Sequence, residues 1–215
     1  MSGIGFNHSL INEFYSNKTV LITGGTGLVG KVIVYKILRS IESIKKVYIL
    51  IREKNGKNYL ERFNDLITKS RDLFTNIEKQ SLEKLVPIDG DVSLPGLGLN
   101  EENRKLILKE VSIVFNAAAD ISFETDLRYQ ILDNFLLKIV LFIIFDISRG
   151  QVLTNVGSTK EVIDLCRKLE AFDVLLHVST AYSNPQQIVT EEKIYRSHIN
   201  PIELLELSRY LLKIF

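Results

Sequence analysis

Little in this chain can cross-link, bind metal or carry a strong field. Cys166 is the single cysteine among 215 residues, so no internal disulfide can form, and a reducing compartment is expected. Net charge is also missing. The 27 Lys and Arg nearly cancel the 26 Asp and Glu, leaving +1. That gives no electrostatic basis for holding nucleic acid or a membrane surface. His8, His177 and His198 are scattered, and with Cys166 they form no ligand spacing, so no metal is expected. The opening "MSGIGFNHSLINEFYSNK" has no basic stretch leading into an apolar one, so no secretory leader is expected. The apolar run "IVLFIIF" at 139–145 stops at Asp146, well short of the roughly 20 residues of a membrane helix. Low-complexity tracts and repeats are absent.

What the chain has is enough apolar residues (46%, against 25% charged) for one folded domain with a sizeable core. Its clearest punctuation is "TVLITGGTGLVGKVIVYKIL" at 19–38. Residues 19–23 are a short β-branched run suited to a buried parallel strand. From 28 to 38, apolar Val29, Val32, Ile33 and Ile37 alternate with Lys31 and Lys36, which predicts a helix with a buried stripe. Between them Gly24, Gly27 and Gly30 are spaced G-x-x-G-x-x-G. Gly24 suits the turn out of the strand. Gly27 leaves room for a pyrophosphate, and Gly30 lets helix and strand approach. The helix N-terminus then offers amides to phosphate. A turn that serves only strand–helix packing is the alternative; the strand–turn–helix setting favours a dinucleotide.

The second strand, 47–51, ends in Arg52, where such folds meet the adenosine ribose. An arginine there accommodates a 2′-phosphate and points to NADP, whereas a solvated basic loop is the alternative reading of "REKNGK". Downstream, helices are expected at 58–70, 77–84, 100–110 and 158–170. Strands are expected in "KLVPIDGD", ending at Asp91, in "SIVFNAAAD", and in "FDVLLHVSTAYSN", ending at Ser179 and Thr180. Asn116, Ala117, Ala118 and Ala119 leave space for a flat ligand. This alternation predicts an α/β fold: a Rossmann-type doubly wound parallel sheet, incomplete on its C-terminal side. Gly24, Arg52, Asp91, Asn116 and Thr180 then all fall at strand carboxyl ends, where ligands of such sheets bind.

The segments "INEFYSNKTVLITGGTGLVGK", "VYILIREKNGK", "VPIDGDVSLPGLGL", "VSIVFNAAADISFETDLR", "LTNVGSTKEVIDLC" and "HVSTAYSN" together closely resemble the NAD-binding domain of fatty acyl-CoA reductases. These are extended short-chain dehydrogenase/reductases. The resemblance implies NADPH as cofactor and a long-chain acyl-CoA substrate reduced to a fatty alcohol through an aldehyde. It implies cofactor contacts along the loop from Thr23, Gly24, Gly25 and Thr26 through Gly27, Leu28, Val29 and Gly30. Arg52 matches the 2′-phosphate contact, Asp91 and Val92 the adenine pocket, and Ala117 and Ala118 the wall near the nicotinamide ribose. Asn116, Asn155 and Ser179 are implied as further cofactor contacts. Thr180 matches the hydroxyl that hydrogen-bonds the substrate carbonyl. An intracellular location follows, with endoplasmic reticulum or peroxisome membrane contact for the full-length parent; no nucleic-acid partner is expected.

The chain departs from the family in two places. The family's acid is the tyrosine of a Tyr-x-x-x-Lys pair, and no such pair is present. Tyr210 and Lys213 are separated by two residues, and their segment resembles a surface helix that precedes the catalytic one. The chain is therefore expected to be a C-terminally truncated member, a single NAD(P)-binding domain over 1–215 that could bind a dinucleotide without catalysis. In addition, family members run almost directly from "DLR" to "LTNVGST", whereas residues 131–151 intervene here. They read as an insertion with no evolved structural role, and a buried helix extension is the alternative. Asn155 rather than Asn134 is expected to start the following helix.

Overall fold

A computed structural model describes residues 8–119, 152–180, 184, 188–197 and 199–210; the proposed insertion at 131–151 and Lys213 lie outside them. The chain divides into two compact units. One is Met1–Ala118 with Glu161–Val178, the other Ala119–Lys160 with Ser179–Phe215.

The first unit holds five parallel strands: β1 (Thr19–Thr23), β2 (Lys46–Ile51), β3 (Leu85–Asp89), β4 (Ile113–Asn116) and β5 (Val174–His177). Their order is β3-β2-β1-β4-β5. The chain starts in the middle strand, builds outward to β3, then crosses back to β4. The order thus reverses between β1 and β4, and the carboxyl ends of these two strands flank the crevice where doubly wound sheets take ligands. Helices cover the sheet: α1 (His8–Tyr15), α2 (Leu28–Ser40), α3 (Tyr59–Lys69), the short α4 (Arg71–Phe74) and α5 (Lys79–Leu82), α6 (Glu101–Glu110), and the Glu161–Cys166 part of α7 (Ser158–Cys166).

The apolar runs of β1 and β2 do not alternate in sequence because both faces of a parallel sheet are buried. In space they sort by the two-residue period of a strand. Val20, Ile22, Val47, Ile49 and Ile51 face one core with Val34, Ile37 and Leu38 of α2 and Leu66 of α3. Leu21, Tyr48 and Leu50 face the other with Ile107 of α6 and Val162 and Leu165 of α7. Buried Tyr48 keeps its hydroxyl satisfied by donating to Glu110 Oε2 at 2.7 Å, and Lys46 Nζ lies 3.0 Å from the same oxygen.

Several expectations need correction. The buried stripe of α2 is Gly30, Val34, Ile37 and Leu38; Val29 and Val32 are half exposed. Close packing of Gly30 on the loop fixes the rotation of the helix, and Val29 and Val32 turn outward. The helix expected at 77–84 is the shorter α5, and α4 precedes it unexpected, with Ile77 between them, buried, its amide donating to the Phe74 carbonyl at 3.1 Å. β3 ends at Asp89 rather than Asp91, because the Asp91 amide leaves the ladder for the Leu97 carbonyl at 2.8 Å. β5 ends at His177, ahead of Ser179 and Thr180.

In the second unit, a π-helical turn at Val152–Gly157 leads into α7, and α8 spans Pro201–Tyr210. Helical winding thus begins upstream of Asn155. The Asn155 carbonyl accepts from the Thr159 hydroxyl at 2.8 Å, and Leu205 of α8 is buried, with Cδ2 3.6 Å from where a Cβ on Gly157 would lie. Among the described residues no helix is long and apolar enough to cross a membrane.

Candidate dinucleotide site at the strand ends

The loop from β1 to α2 is built on two close approaches and one open space. Gly24 has φ +70°, and a Cβ there would lie 2.5 Å from the Ala117 carbonyl oxygen and 2.6 Å from the Ala118 nitrogen. The end of β4 therefore packs directly on the turn. A Cβ on Gly30 would overlap the Gly24 carbonyl and come within 2.7 Å of Gly25 Cα. Gly25 itself lies against Ile49. Gly27 differs: a Cβ there would meet only the Gly24 oxygen, at 3.3 Å. Among the described residues nothing else lies within 4 Å of that position. Gly27 is also the N-cap of α2, with no side chain capping the first turn. Helix starts leave such amides in want of acceptors. Leu28 and Val29, at the start of α2, are exposed.

Across the strand ends, the Thr23 hydroxyl donates to Asn116 Oδ1 at 2.6 Å, and the Asn116 amide nitrogen lies 3.1 Å from His177 Nδ1. Thr23 and Asn116 are fully buried, and the three residues are register partners on β1, β4 and β5. Ala117 and Ala118, half-buried, continue β4 over the loop. The sequence singled out Thr23 and Asn116. His177 was not assigned a role, because its link to Asn116 depends on strand register.

On the other side, Arg52 leaves the end of β2, and its guanidinium lies 3.5 Å from Asp91 Oδ2. Burial alone would raise the Asp91 carboxyl. The Ser93 amide and hydroxyl, at 2.9 and 2.7 Å, and the Arg52 charge outweigh burial and hold it below the usual carboxylate range. The loop beyond Asp91 is fixed by Leu97, which is fully buried at φ +62° between left-handed Gly96 and Gly98. Glu161 of α7 accepts from the Gly96 amide at 2.8 Å. Val92 packs at the margin of the second core.

A residue missed in the sequence completes this side. Arg62 of α3 donates to the Arg52 carbonyl at 2.5 Å and to the Thr26 hydroxyl at 3.2 Å. Both acceptors are uncharged. Desolvation, and then the Arg52 charge, depress its guanidinium below its ordinary pKa. A cation held beside another cation fits an anionic ligand. A local signal for it exists: Asn58 and Glu61 form a capping box, each side chain bonded to the other's amide at 2.9 Å. That box puts Arg62 in the first turn of α3.

The structure thus gathers Thr23, the glycine loop, Arg52, Asp91, Val92, Asn116, Ala117 and Ala118 in the first unit. Asn155, Ser179 and Thr180 belong to the second. Asn155 is half-buried in the π-helical turn, and Ser179 and Thr180 are exposed beyond β5. Among the described residues no group of His, Cys, Asp and Glu could hold a metal ion. Burial pushes the Cys166 thiol up to about 11, so it is not a nucleophile at neutral pH.

An NAD-binding family described as "Male sterility protein" matches residues 22–136 and 147–215. The putative fatty acyl-CoA reductase CG8306 of Drosophila melanogaster is 35% identical over 205 residues, covering 94% of this chain and 36% of that protein. Fatty acyl-CoA reductase 1 of Homo sapiens is 31% identical over 199 residues, covering 91% and 34%. The chain therefore spans about a third of the length of these curated relatives. Among solved structures, the reductase domain of a nonribosomal peptide synthetase from Mycobacterium tuberculosis superposes with a TM-score of 0.56 at 21% identity, over 79% of this chain and 35% of that one. The terminal R domain of the myxalamid biosynthetic pathway gives 0.54 at 23% identity, over 77% and 35%. Both share the Rossmann-type architecture.

Proposed function

The chain belongs to the NAD-binding family described as male sterility protein, and on that premise we propose that it forms the cofactor-binding part of an NADPH-dependent fatty acyl-CoA reductase. The observation that carries the cofactor reading is the space beside Gly27. Gly24 and Gly30 are demanded by protein packing, whereas a Cβ on Gly27 would meet, among the described residues, only the Gly24 oxygen, at 3.3 Å. A pyrophosphate in that space would explain the glycine and would take up the uncapped amides of α2. The pair Arg52 and Arg62 supports NADPH over NADH, since a 2′-phosphate supplies the anion that Arg62 lacks.

The substrate reading rests on the curated relatives, which are named fatty acyl-CoA reductases. When bound, the nicotinamide supplies a hydride. The chain's own residues hold and orient: the glycine loop and α2 the pyrophosphate, Arg52 and Arg62 the 2′-phosphate, Asp91 and Val92 the adenine side, and Ala117 and Ala118 the ribose wall. Thr180 donates a hydrogen bond to the carbonyl oxygen, on which negative charge develops. Reduction of a thioester to an alcohol takes two hydrides and two protons and releases the CoA thiol.

Calorimetric titration with NADPH and NADH tests the cofactor. NADPH is expected to bind tighter by at least about tenfold, the worth of one charge-assisted contact. Arg52→Ala and Arg62→Ala should each narrow that ratio. Equal affinities for the two cofactors in the parent chain would refute the 2′-phosphate site.

A further inference from the structure

We propose that the basic cleft beside the glycine loop takes the 3′-phosphoadenosine end of coenzyme A, so that released CoA competes with NADPH for this chain; the inference rests on the acyl-CoA reading above. The cleft has a volume of about 490 Å³, within the roughly 300–1,000 Å³ typical of small-molecule sites. Lys31, Lys54, Lys57, Arg62 and Lys69 line it, against a single carboxylate, Asp65. Lys57 and Lys69 share that carboxylate at 2.7 and 2.9 Å, so the trio keeps a net positive charge. Lys31 and Lys54 form no ion pair among the described residues, and Arg62 bonds only uncharged oxygens.

The cleft's rim is pre-set. Asn55 and Gly56 are both left-handed, at φ 55° and 70°. Around them Lys54 and Lys57 exchange both backbone hydrogen bonds at 3.1 Å, a tight two-residue hairpin that holds the two lysines on one edge. A phosphomonoester carries at most two negative charges at neutral pH, fewer than the formal excess of four on this wall. A ligand with both a monophosphate and a pyrophosphate matches it better.

The type of cation decides what the wall can distinguish. An arginine fork is rigid and reads geometry, while a lysine ammonium is a point charge on a flexible stem. A wall that is mostly lysine attracts a ribose phosphate without fixing which of two neighbouring hydroxyls carries it. NADPH carries that phosphate at the 2′ position, CoA at the 3′. The reduction generates free CoA at every turnover, so the cleft makes the product a competitor of the cofactor.

The experiment is NADPH titration of the full chain alone, with CoA, and with dephospho-CoA, which lacks the 3′-phosphate. CoA is expected to weaken apparent NADPH affinity, and dephospho-CoA to leave it essentially unchanged. The Lys57→Gln/Lys69→Gln double variant, checked for folding by circular dichroism, should weaken direct CoA binding about tenfold, as for loss of a charged hydrogen bond, and should weaken NADPH binding as well, since both ligands meet the same wall. NADPH binding that CoA does not disturb, or that dephospho-CoA disturbs equally, overturns this inference alone. Failure of NADPH to bind in the direct titration overturns the cofactor reading and the competition with it.

Discussion

Gly24 and Gly27 belong to the same motif, yet substitution should act on them in opposite ways. Gly24→Ala forces a side chain into a left-handed conformation and into the β4 backbone. It should cost at least about 1–2 kcal/mol from the backbone conformation alone, before the overlap with Ala117. A Cβ on Gly27 presses only on the Gly24 carbonyl oxygen, at 3.3 Å, a milder conflict than at Gly24, so Gly27→Val should cost less stability than Gly24→Ala while NADPH binding is lost. Urea unfolding and calorimetry separate the two effects. A Gly27→Val chain that binds NADPH within a few-fold of the parent would end the phosphate-loop assignment. The triplet was legible because its spacing is local. The open space at Gly27 was argued from motif logic, and the structure supplies the physical contrast. Arg62 was not legible as a site residue, since it reaches Thr26 and the Arg52 carbonyl only after α3 docks.

At the level of elements, strand positions could be read because continuous apolar runs between polar turns have few other uses in an α/β chain. Strand ends could not, because they depend on where an amide finds a new acceptor, as Asp91 does at Leu97. The facing of α2 escaped for a similar reason: periodicity names candidate stripes, and a glycine contact chooses among them. The β2–α6 junction gives a pH-dependent prediction. The Tyr48 hydroxyl, then Lys46, hold the Glu110 carboxyl below its ordinary pKa. A depressed carboxylate contributes stability above its unfolded pKa, about 4.3, and loses it as pH falls through the lower folded value. The stability advantage of the parent over Glu110→Gln should therefore be full near pH 6 and shrink on acidification below pH 4. An advantage that stays constant across that range in urea titrations would exclude the linkage. Deletion of residues 131–151 should raise soluble yield or the thermal midpoint, because the run "IVLFIIF" combines β-propensity with no charge. The family match leaves out residues 137–146 and takes in 131–136 and 147–151. An unfolded deletion product would make the segment structural.

Taken whole, the molecule has the parts of a cofactor cradle without a positioned acid among its described residues. Tyr210 ends α8 and is 62% exposed. In the function proposed above Thr180 would supply one hydrogen bond, but a positioned general acid contributes about 10²–10⁴-fold. The chain with NADPH and a long-chain acyl-CoA should therefore oxidise little or no cofactor, and Tyr210→Phe should change nothing. Clear turnover abolished by Tyr210→Phe would reverse that assignment. The strand order has a different consequence, in the time domain of synthesis. β1 is the central strand and the first of the five described strands to leave the ribosome, and β2 closes one of its edges early. The other edge waits for β4, since Thr23 and Asn116 are 93 residues apart. At translation rates of about 5–20 residues per second, that edge stays open for roughly 5–20 s. During this window an uncharged Val-Leu-Ile strand presents unpaired amides and carbonyls to any neighbouring nascent chain. How much soluble protein a cell obtains should then depend on elongation speed and on holdase chaperones, even when the finished fold is unchanged.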